Sequence, residues 1–369
     1  MFKKIIFMIF SKIITLILRI IKQFLPYGII NIFKNIKKKY SSKYSISFIT
    51  SNPPENIYPL IFNESGNKIY YFFLKDNHMA HIPYGKPQNS YFLWDRYNFG
   101  LDVHFYTHNH IFQPYSNAIR RYGWLLESEA ITPLDYKNII INKYIYNEYN
   151  YIFSFSQRIL DQIPNSKFVP AGSLWYGIWK ECGGELNSLI YKKKKKNISI
   201  LCSNKKITPM QQLRNKIALE CKKNNLLNVD TFGTFDGGIY IANISDTLTD
   251  YRFSFIIENN ISSNYFTEKI LNCFGSMTIP IYYGAPNISD FFNSNGIISL
   301  NNNDIDNLLS IINLCSEKEY LNRLEAVKDN FNRVLAYCSV EEYIFENYLK
   351  NDLFFKQNQE KYLPQLPKI

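Results

Sequence analysis

The second half of the chain alternates between short apolar runs and longer amphipathic stretches, and this alternation most constrains its fold. The apolar runs are "ISILCS", "NVDTFG", "RFSFIIE", "TIPIYYG" and "GIISL", and each predicts a buried strand. Residues 209–224, 267–275 and 304–333 have helical patterns. Strands that alternate with helices form a parallel sheet with helices on both faces. We therefore expect a Rossmann-like domain.

A lysine-rich run divides the chain. The stretch "YKKKKKN" predicts a solvated linker over 191–197. Before it, residues 41–190 contain short strands such as "KIYYFFL", "DVHFYTH" and "YIFSFS", which favour a second α/β domain. After it, the Rossmann-like domain is expected over 198–350, followed by a tail over 351–369. A terminal helix over about 339–352 could cross back to the first domain, which the sequence leaves open.

The first 40 residues hold most of the net charge. Nine Lys or Arg and no acid fall in 1–40, which leaves +2 of the chain's +11 for the remainder. On a helix, the polar side chains near the start of this segment cluster within an arc of about 120°. Lys12 and Arg19 interrupt any apolar window of about 20 residues in it. An in-plane amphipathic helix on a membrane surface is predicted, with packing on the protein's own body and a true span as alternatives. No basic stripe with interleaved aromatics follows, so a nucleic-acid partner is not expected.

The segment "SNYFTEKILNCFG", residues 263–275, places unusual chemistry at the start of a predicted helix. Thr267 is a candidate N-cap, with Glu268 and Lys269 in the first turn. In an open parallel sheet, ligands bind beyond the carboxyl ends of strands, where helix N-termini favour anions. Lys269 suits a phosphate, and Glu268 suits a diol such as a ribose. The alternative is an ordinary helix start with a surface lysine.

A longer stretch carries a family resemblance. Residues 251–292, "YRFSFIIENNISSNYFTEKILNCFGSMTIPIYYGAPNISDFF", resemble the donor-binding signature of the family 10 glycosyltransferases, the α-1,3/1,4-fucosyltransferases. That signature reads Y-K-F-x-x-x-F-E-N-S, then Y-x-T-E-K and V-P-V-x-x-G. The resemblance implies a GT-B architecture, two Rossmann-like domains facing a cleft. It also implies GDP-fucose as donor in the C-terminal domain, an acceptor-binding N-terminal domain, an inverting reaction, and no required metal or other cofactor.

The resemblance also assigns roles to individual residues. "LCSNKKITPMQQLRNKIALE" is similar to the family segment whose arginine contacts the diphosphate, here Arg214. "GWLLESEAITP" is similar to the segment that holds the proposed general base, here Glu127, with Glu129 as the alternative. The signature itself implies a donor site made of Arg214, Asn259, Tyr265, Thr267, Glu268 and Lys269. Within it, Glu268 would hold the ribose hydroxyls, and Tyr265 and Asn259 would line the nucleotide and sugar pocket.

Two departures from the family pattern concern the sugar. The family's V-P-Y-G reads "VPAG" here, so Ala171 lacks an aromatic ring that Trp175 or Tyr176 could replace. The family's F-E-N-S reads "IENN", with Asn260 in the last position. The identity of the sugar is therefore less firmly predicted than nucleotide binding.

The stretch "HFYTHNH" raises a separate possibility. His104, His108 and His110 could ligate a metal, but 104 and 108 share a face only on a helix, and 108 and 110 only on a strand. The aromatic setting favours a strand. A place in the acceptor cleft is the other option, and no metal site is assigned.

The basic arm predicts membrane association, and the family resemblance implies an inverting transferase. We expect it to move fucose from GDP-fucose to a hydroxyl of a glycan acceptor, through an α-1,3 or α-1,4 linkage, on a surface polysaccharide or lipid-linked glycan. Its expected location is the cytoplasmic face of a bacterial-type membrane, with a Golgi-type membrane as the alternative. A transferase for another nucleotide sugar and a non-catalytic carbohydrate-binding relative are the competing hypotheses.

Overall fold

The computed structural model describes residues 70–76, 92–95, 100–115, 118–175, 186–224, 228–301 and 308–357. The predicted amphipathic helix in residues 1–40 lies outside these ranges, as does most of the predicted tail. In the described ranges, no helix combines the length and the apolar character that a bilayer crossing requires.

The N-terminal half forms a parallel sheet of six strands, as the α/β prediction requires. Its strands are β1 (Tyr70–Lys75), β2 (Phe92–Asp95), β3 (Val103–Thr107), β4 (Arg120–Leu125), β5 (Tyr151–Ser154) and β6 (Ser166–Phe168). They lie in the order β2-β1-β3-β4-β5-β6. Helices α1 (Pro133–Ile141), α2 (Lys143–Tyr146) and α3 (Gln157–Gln162) follow β4 and β5. Because all neighbours are parallel, the carboxyl ends of the strands share one edge.

The second half forms a parallel sheet of five strands, and each predicted strand is present. These are β7 (Lys196–Leu201), β8 (Val229–Phe232), β9 (Tyr251–Ile257), β10 (Ile279–Tyr283) and β11 (Ile298–Ser299), in the order β11-β10-β9-β7-β8. β9 lies between β10 and β7 and is buried at nearly every position. The end of this central strand therefore opens onto the middle of the domain.

Helices pack on this second sheet at the predicted places. They are α4 (Pro209–Lys223), α5 (Glu268–Gly275), α6 (Leu308–Leu314), α7 (Glu317–Asn322) and α8 (Leu324–Val334). A capping box starts α4, since the Thr208 side chain accepts from Gln211 N and the Gln211 side chain accepts from Thr208 N. The predicted helical region 304–333 is interrupted, because Ser316 caps a new helix by accepting from Glu319 N.

The C-terminal segment returns to the first domain. Helices α9 (Val340–Ile344) and α10 (Leu353–Gln357) flank a π-helix over Phe345–Leu349. Their buried side chains, among them Ile344, Leu349 and Phe355, share a core with the first sheet. The boundary drawn at residue 350 therefore differs from the packing, which changes domain at about residue 340. Apolar contacts that are distant in sequence decide this return.

The lysine run is not a solvated linker throughout, which corrects the prediction for 191–197. Lys194 is buried, and its Nζ donates to Ser276 O at 2.7 Å, Thr278 Oγ1 at 2.8 Å and Leu248 O at 3.1 Å. β7 then begins at Lys196, inside the same run. The ammonium group of Lys194 joins three segments of the second domain, so this side chain belongs to its core.

Replacing Lys194 by methionine is expected to lower the free energy of unfolding by about 1–3 kcal/mol. The substitution keeps the apolar stem but removes the donors to two carbonyls and one hydroxyl in a buried site. Urea denaturation of the full chain measures the effect. Lys193→Met is the matched control, because Lys193 is exposed. Equal midpoints for the two variants would contradict a structural role for Lys194.

Candidate active site in the cleft

The site begins where the central strand β9 ends. Glu258 follows β9 directly and is fully buried. Its Oε1 accepts from Thr267 N at 2.9 Å, and its Oε2 accepts from Thr267 Oγ1 at 2.7 Å. Thr267 is the N-cap of α5, as predicted. The buried carboxylate thus fixes the start of α5 against the end of the strand.

Lys269 lies in the first turn of α5 between two acids. Its Nζ donates to Glu268 Oε1 at 2.9 Å and to Thr267 Oγ1 at 2.9 Å, and lies 3.5 Å from Glu258 Oε2. Burial alone would lower the pKa of Lys269, but the Glu268 and Glu258 carboxylates outweigh it, so its pKa is raised. The ammonium group is therefore charged at the helix N-terminus, where the positive end of the helix dipole also lies.

Arg214 approaches the same point from α4. Its side chain is buried; Nη1 donates to Ile257 O at 2.6 Å and Nη2 to Asn259 Oδ1 at 3.2 Å. Among the described residues, its Nε has no hydrogen-bond partner. These contacts tie the guanidinium to the loop that leaves β9 and leave further N–H donors for a ligand.

Arg214 and Lys269 line one cavity, which we call the inner cavity. It has a volume of about 250 Å³ and lies inside the second domain, with Asn259 and Glu268 also on its wall. The structure thus brings Lys269 and Arg214, two of the residues assigned to the donor site, to the wall of one cavity. Two cationic groups, helix N–H groups and a carboxylate around one space suit a nucleoside diphosphate. The individual binding roles stay predictions.

A second cavity lies between the two domains, and we call it the cleft cavity. Its volume is about 260 Å³, and Asn259, Glu268 and Lys269 line it as well as the inner cavity. Glu127 and Trp124 of the N-terminal domain form part of its wall. An acidic residue of one domain and the charged helix start of the other therefore line the same cavity.

Glu127 lies just beyond the carboxyl end of β4. Its backbone N–H donates to His108 Nε2 at 3.2 Å, and its carbonyl oxygen accepts from Tyr136 Oη at 2.7 Å. The alternative acid, Glu129, pairs instead with Arg158 and is absent from the described walls of the cleft cavity. The structure thus favours Glu127 over Glu129 as the acid of the cleft.

Tyr265 joins the domains. It is only 2% exposed, its ring lies 4.9 Å from the ring of Phe155, and it lines the cleft cavity. Next to it, the amide of Asn264 donates to Phe155 O at 3.2 Å and to Gln157 Oε1 at 2.9 Å. The predicted pocket residue Tyr265 therefore also holds the two sides of the cleft together.

The loop with the departure from the family pattern touches the helix start. A Cβ added at Gly172 would lie 2.9 Å from the backbone nitrogen of Glu268, so this glycine permits a close approach between the domains. Trp175 lines the cleft cavity together with Ala171, which fits the prediction that Trp175 replaces the aromatic ring missing at position 171. Tyr176 lies outside the described residues.

Gly284, the glycine of the "YYGAP" turn, leaves space for the buried acid Glu258. A Cβ added at Gly284 would lie 2.7 Å from Glu258 Cγ and would collide with the Tyr282 hydroxyl. That hydroxyl accepts from Ala285 N at 2.9 Å. The turn after β10 therefore needs glycine so that Tyr282 and Glu258 can pack beneath α5.

The histidines do not converge. His104 is buried, with Nδ1 2.7 Å from Tyr106 Oη and Nε2 2.6 Å from Leu101 O. His108 and His110 line a separate cavity of about 360 Å³ together with Asp76 and Asp135. Within the described part of the chain, no group of three or more His, Cys, Asp or Glu side chains is placed to hold a metal ion.

Sequence reasoning gave no role to Glu258 beneath the helix start, or to Lys205 and Glu341 on the cavity walls. Glu258 was visible as an acid at the end of a buried strand, which is a usable signal. Lys205 lines both the inner and the cleft cavity. Glu341 reaches the cleft cavity because α9 crosses to the first domain, and it accepts from Trp94 Nε1 at 3.3 Å. No local pattern in the sequence marks Lys205 or Glu341.

The fold and the cleft define a class: a GT-B protein with two parallel α/β domains. The crystal structure of Anabaena HepE in complex with UDP-glucose is similar, with a TM-score of 0.50 over 75% of this chain and 98% of that one. Its identity is 9%, so the likeness shows the fold alone. An α1,3-fucosyltransferase crystallised with GDP matches with a TM-score of 0.47 at 20% identity, over 78% of this chain and 93% of that one.

The family is specified by the second domain. Residues 191–337 match the family model described as glycosyltransferase family 10 (fucosyltransferase), C-terminal, which confirms the resemblance over that part of the chain. The α-(1,3)-fucosyltransferase FucT of Helicobacter pylori is 28% identical over 131 residues, 33% of this chain. The match spans 27% of that relative's length.

Proposed function

We propose that this protein is an inverting glycosyltransferase that transfers fucose from GDP-fucose to a hydroxyl group of a glycan acceptor. One observation carries the proposal. The cleft cavity is lined by Glu127 of the first domain and by the start of α5, with Lys269, of the second. The match to a fucosyltransferase family domain over 191–337 supports fucose and GDP as the parts of the donor.

The donor end of the reaction belongs to the second domain. As GDP leaves, negative charge grows on its β-phosphate, and Lys269, Arg214 and the N–H groups of α5 stabilise that charge. Arg214 offers a planar pair of donors and Lys269 a compact charge. Glu268 accepts from the ribose hydroxyls, while Asn259 and Tyr265 bound the nucleotide and the sugar.

The acceptor end belongs to the first domain. The acceptor hydroxyl must lose a proton as it attacks the anomeric carbon, and Glu127 takes that proton as general base. A positioned base contributes about 10²- to 10⁴-fold in rate. Glu127 and the helix start line the same cavity from different domains, which supports an attack from the side opposite the leaving diphosphate. Such an attack inverts the configuration at the anomeric carbon.

Donor selectivity tests the proposal. In a thermal-shift assay, GDP-fucose is expected to raise the melting temperature more than GDP-mannose, and UDP-glucose to leave it unchanged. Bound ligand stabilises the folded state by about 2.7 kcal/mol at a hundredfold excess over Kd, so the shift is measurable. NMR of the product formed from GDP-fucose then defines the linkage. Stabilisation by UDP-glucose alone would overturn the choice of donor.

A second candidate shares the fold and differs in the sugar. Ala171 stands where the family has tyrosine, and Asn260 where it has serine, so the sugar end of the cleft differs from the family pattern. A preference for GDP-mannose in the same assay would favour this candidate. Nucleotide binding without any product would favour a non-catalytic carbohydrate-binding relative.

The basic arm over 1–40 is proposed to hold the enzyme at the cytoplasmic face of a membrane, close to a lipid-linked acceptor. Its cationic face suits anionic lipids, which attract each basic residue by about 1 kcal/mol. Deleting residues 1–39 is expected to move the protein to the soluble fraction and to reduce activity on a lipid-linked acceptor. Activity on a short soluble acceptor is the control and should persist. Unchanged membrane fractionation and unchanged activity on the lipid-linked acceptor would contradict this role.

A further inference from the structure

The peptide groups of Glu127 are held on both sides by side chains of the N-terminal domain. His108 accepts a hydrogen bond from its N–H at 3.2 Å, and Tyr136 donates one to its carbonyl oxygen at 2.7 Å. Both partners are buried, at 6% and 0% exposed. Glu127, which lines the cleft cavity, is therefore fixed through its backbone.

The backbone conformation and the ring nitrogens of His108 are arranged for its contact with Glu127. It follows β3 immediately and has a left-handed backbone, with φ of 48°, a conformation that costs free energy in a residue with a Cβ. Because Nε2 accepts the Glu127 N–H, the ring proton lies on Nδ1, which is 3.5 Å from Asp135 Oδ2. Asp135 lies in the first turn of α1, one residue before Tyr136.

We propose that His108 and Tyr136 are positioning residues for Glu127, and that they set the rate of the transfer step without touching the donor. The inference rests on the proposed function, since it needs Glu127 to be the base. Displacement of a reacting group by about 1 Å can reduce the rate by about 10²-fold. The donor groups Lys269 and Arg214 are in the other domain, so donor affinity is independent of this clamp.

The first test replaces His108. His108→Leu removes the acceptor of the Glu127 N–H, and kcat is expected to fall by about 10- to 100-fold, with the Kd of GDP unchanged. His108→Gln restores an acceptor oxygen near the position of Nε2 and should recover most of kcat. Circular dichroism and the melting temperature show whether each variant is folded. A kcat for His108→Leu equal to that of wild type, or no recovery in His108→Gln, would overturn the proposal for His108.

The second test uses two matched tyrosines. Tyr136→Phe removes the hydrogen bond to Glu127 O and is expected to lower kcat by about 5- to 10-fold, as expected for a smaller displacement of the base. Tyr149→Phe is the control, because its hydroxyl donates to another backbone carbonyl of the same core, Ile111 O, at 2.6 Å. Equal losses of kcat in both variants would show a general structural effect and would overturn the role of Tyr136.

A double variant separates this inference from the proposed function. If His108 acts through Glu127, His108→Leu should have little further effect on kcat in a Glu127→Gln background. A full additional loss in that background would overturn the inference alone. Normal kcat in Glu127→Gln by itself would instead show that the proposed function assigns the wrong base.

Discussion

Replacing Glu127 by glutamine is expected to lower kcat by about 10²- to 10⁴-fold, the usual contribution of a general base. Glutamine keeps the size and the hydrogen-bonding capacity of the side chain but cannot take the proton of the acceptor hydroxyl. The Kd of GDP should stay the same, because the groups predicted to bind the diphosphate belong to α4 and α5 of the other domain. Steady-state kinetics and calorimetric titration with GDP measure the two quantities.

Glu129→Gln is the matched control for this result. Glu129 lies two residues away on the same loop, but it pairs with Arg158 at the surface. Its replacement should leave kcat within about twofold of wild type, because Glu129 is not among the described walls of the cleft cavity. The loss of its exposed ion pair should also change stability little. A wild-type kcat in Glu127→Gln would rule out this residue as the base, and a large loss in Glu129→Gln would move the role there.

Replacing Lys269 by methionine is expected to weaken GDP binding by about 10²- to 10³-fold. The variant loses a charged donor to the diphosphate. It also leaves Glu258 and Glu268 without their shared cation, and breaking a buried ion pair lowers the free energy of unfolding by about 3–5 kcal/mol. Two carboxylates would then face the incoming phosphates. Calorimetric titration with GDP measures the loss, and circular dichroism checks that the variant is folded.

Two further variants sharpen this result. Lys206→Met is the control, because Lys206 is exposed and is not among the described walls of either cavity, so GDP affinity should be unchanged. Arg214→Lys is expected to weaken binding by about tenfold, since an ammonium group cannot replace the bidentate guanidinium. Wild-type affinity in Lys269→Met would contradict the assignment of the diphosphate site.

Local signals in the sequence explain which parts of the fold were predictable. The strands of the second sheet are bounded apolar runs, and Thr267 before an acid and a lysine is a capping pattern with a clear meaning. The family resemblance then assigned Arg214 and Lys269, which are far apart in sequence, to one site. The structure places both on the inner cavity.

Contacts between residues that are distant in sequence explain the features that were not predicted. Lys194 appears in a solvated run, but carbonyls at Leu248 and Ser276 bury it. Glu341 enters the cleft only because α9 packs on the first sheet. The support of Glu127 by His108 depends on the register of β3 beside β4. Propensity and periodicity describe single segments, so they do not encode such pairings.

The central claim is that Lys269 and Arg214 bind the diphosphate of the donor at the start of α5. A crystal structure of the full chain with GDP-fucose tests it most directly, through the distances from the β-phosphate oxygens to Lys269 Nζ and to the Arg214 guanidinium. We predict both to be about 2.7–3.2 Å, the range of a hydrogen bond. Nucleotide bound with its phosphates outside the inner cavity, contacting neither side chain, would contradict the claim.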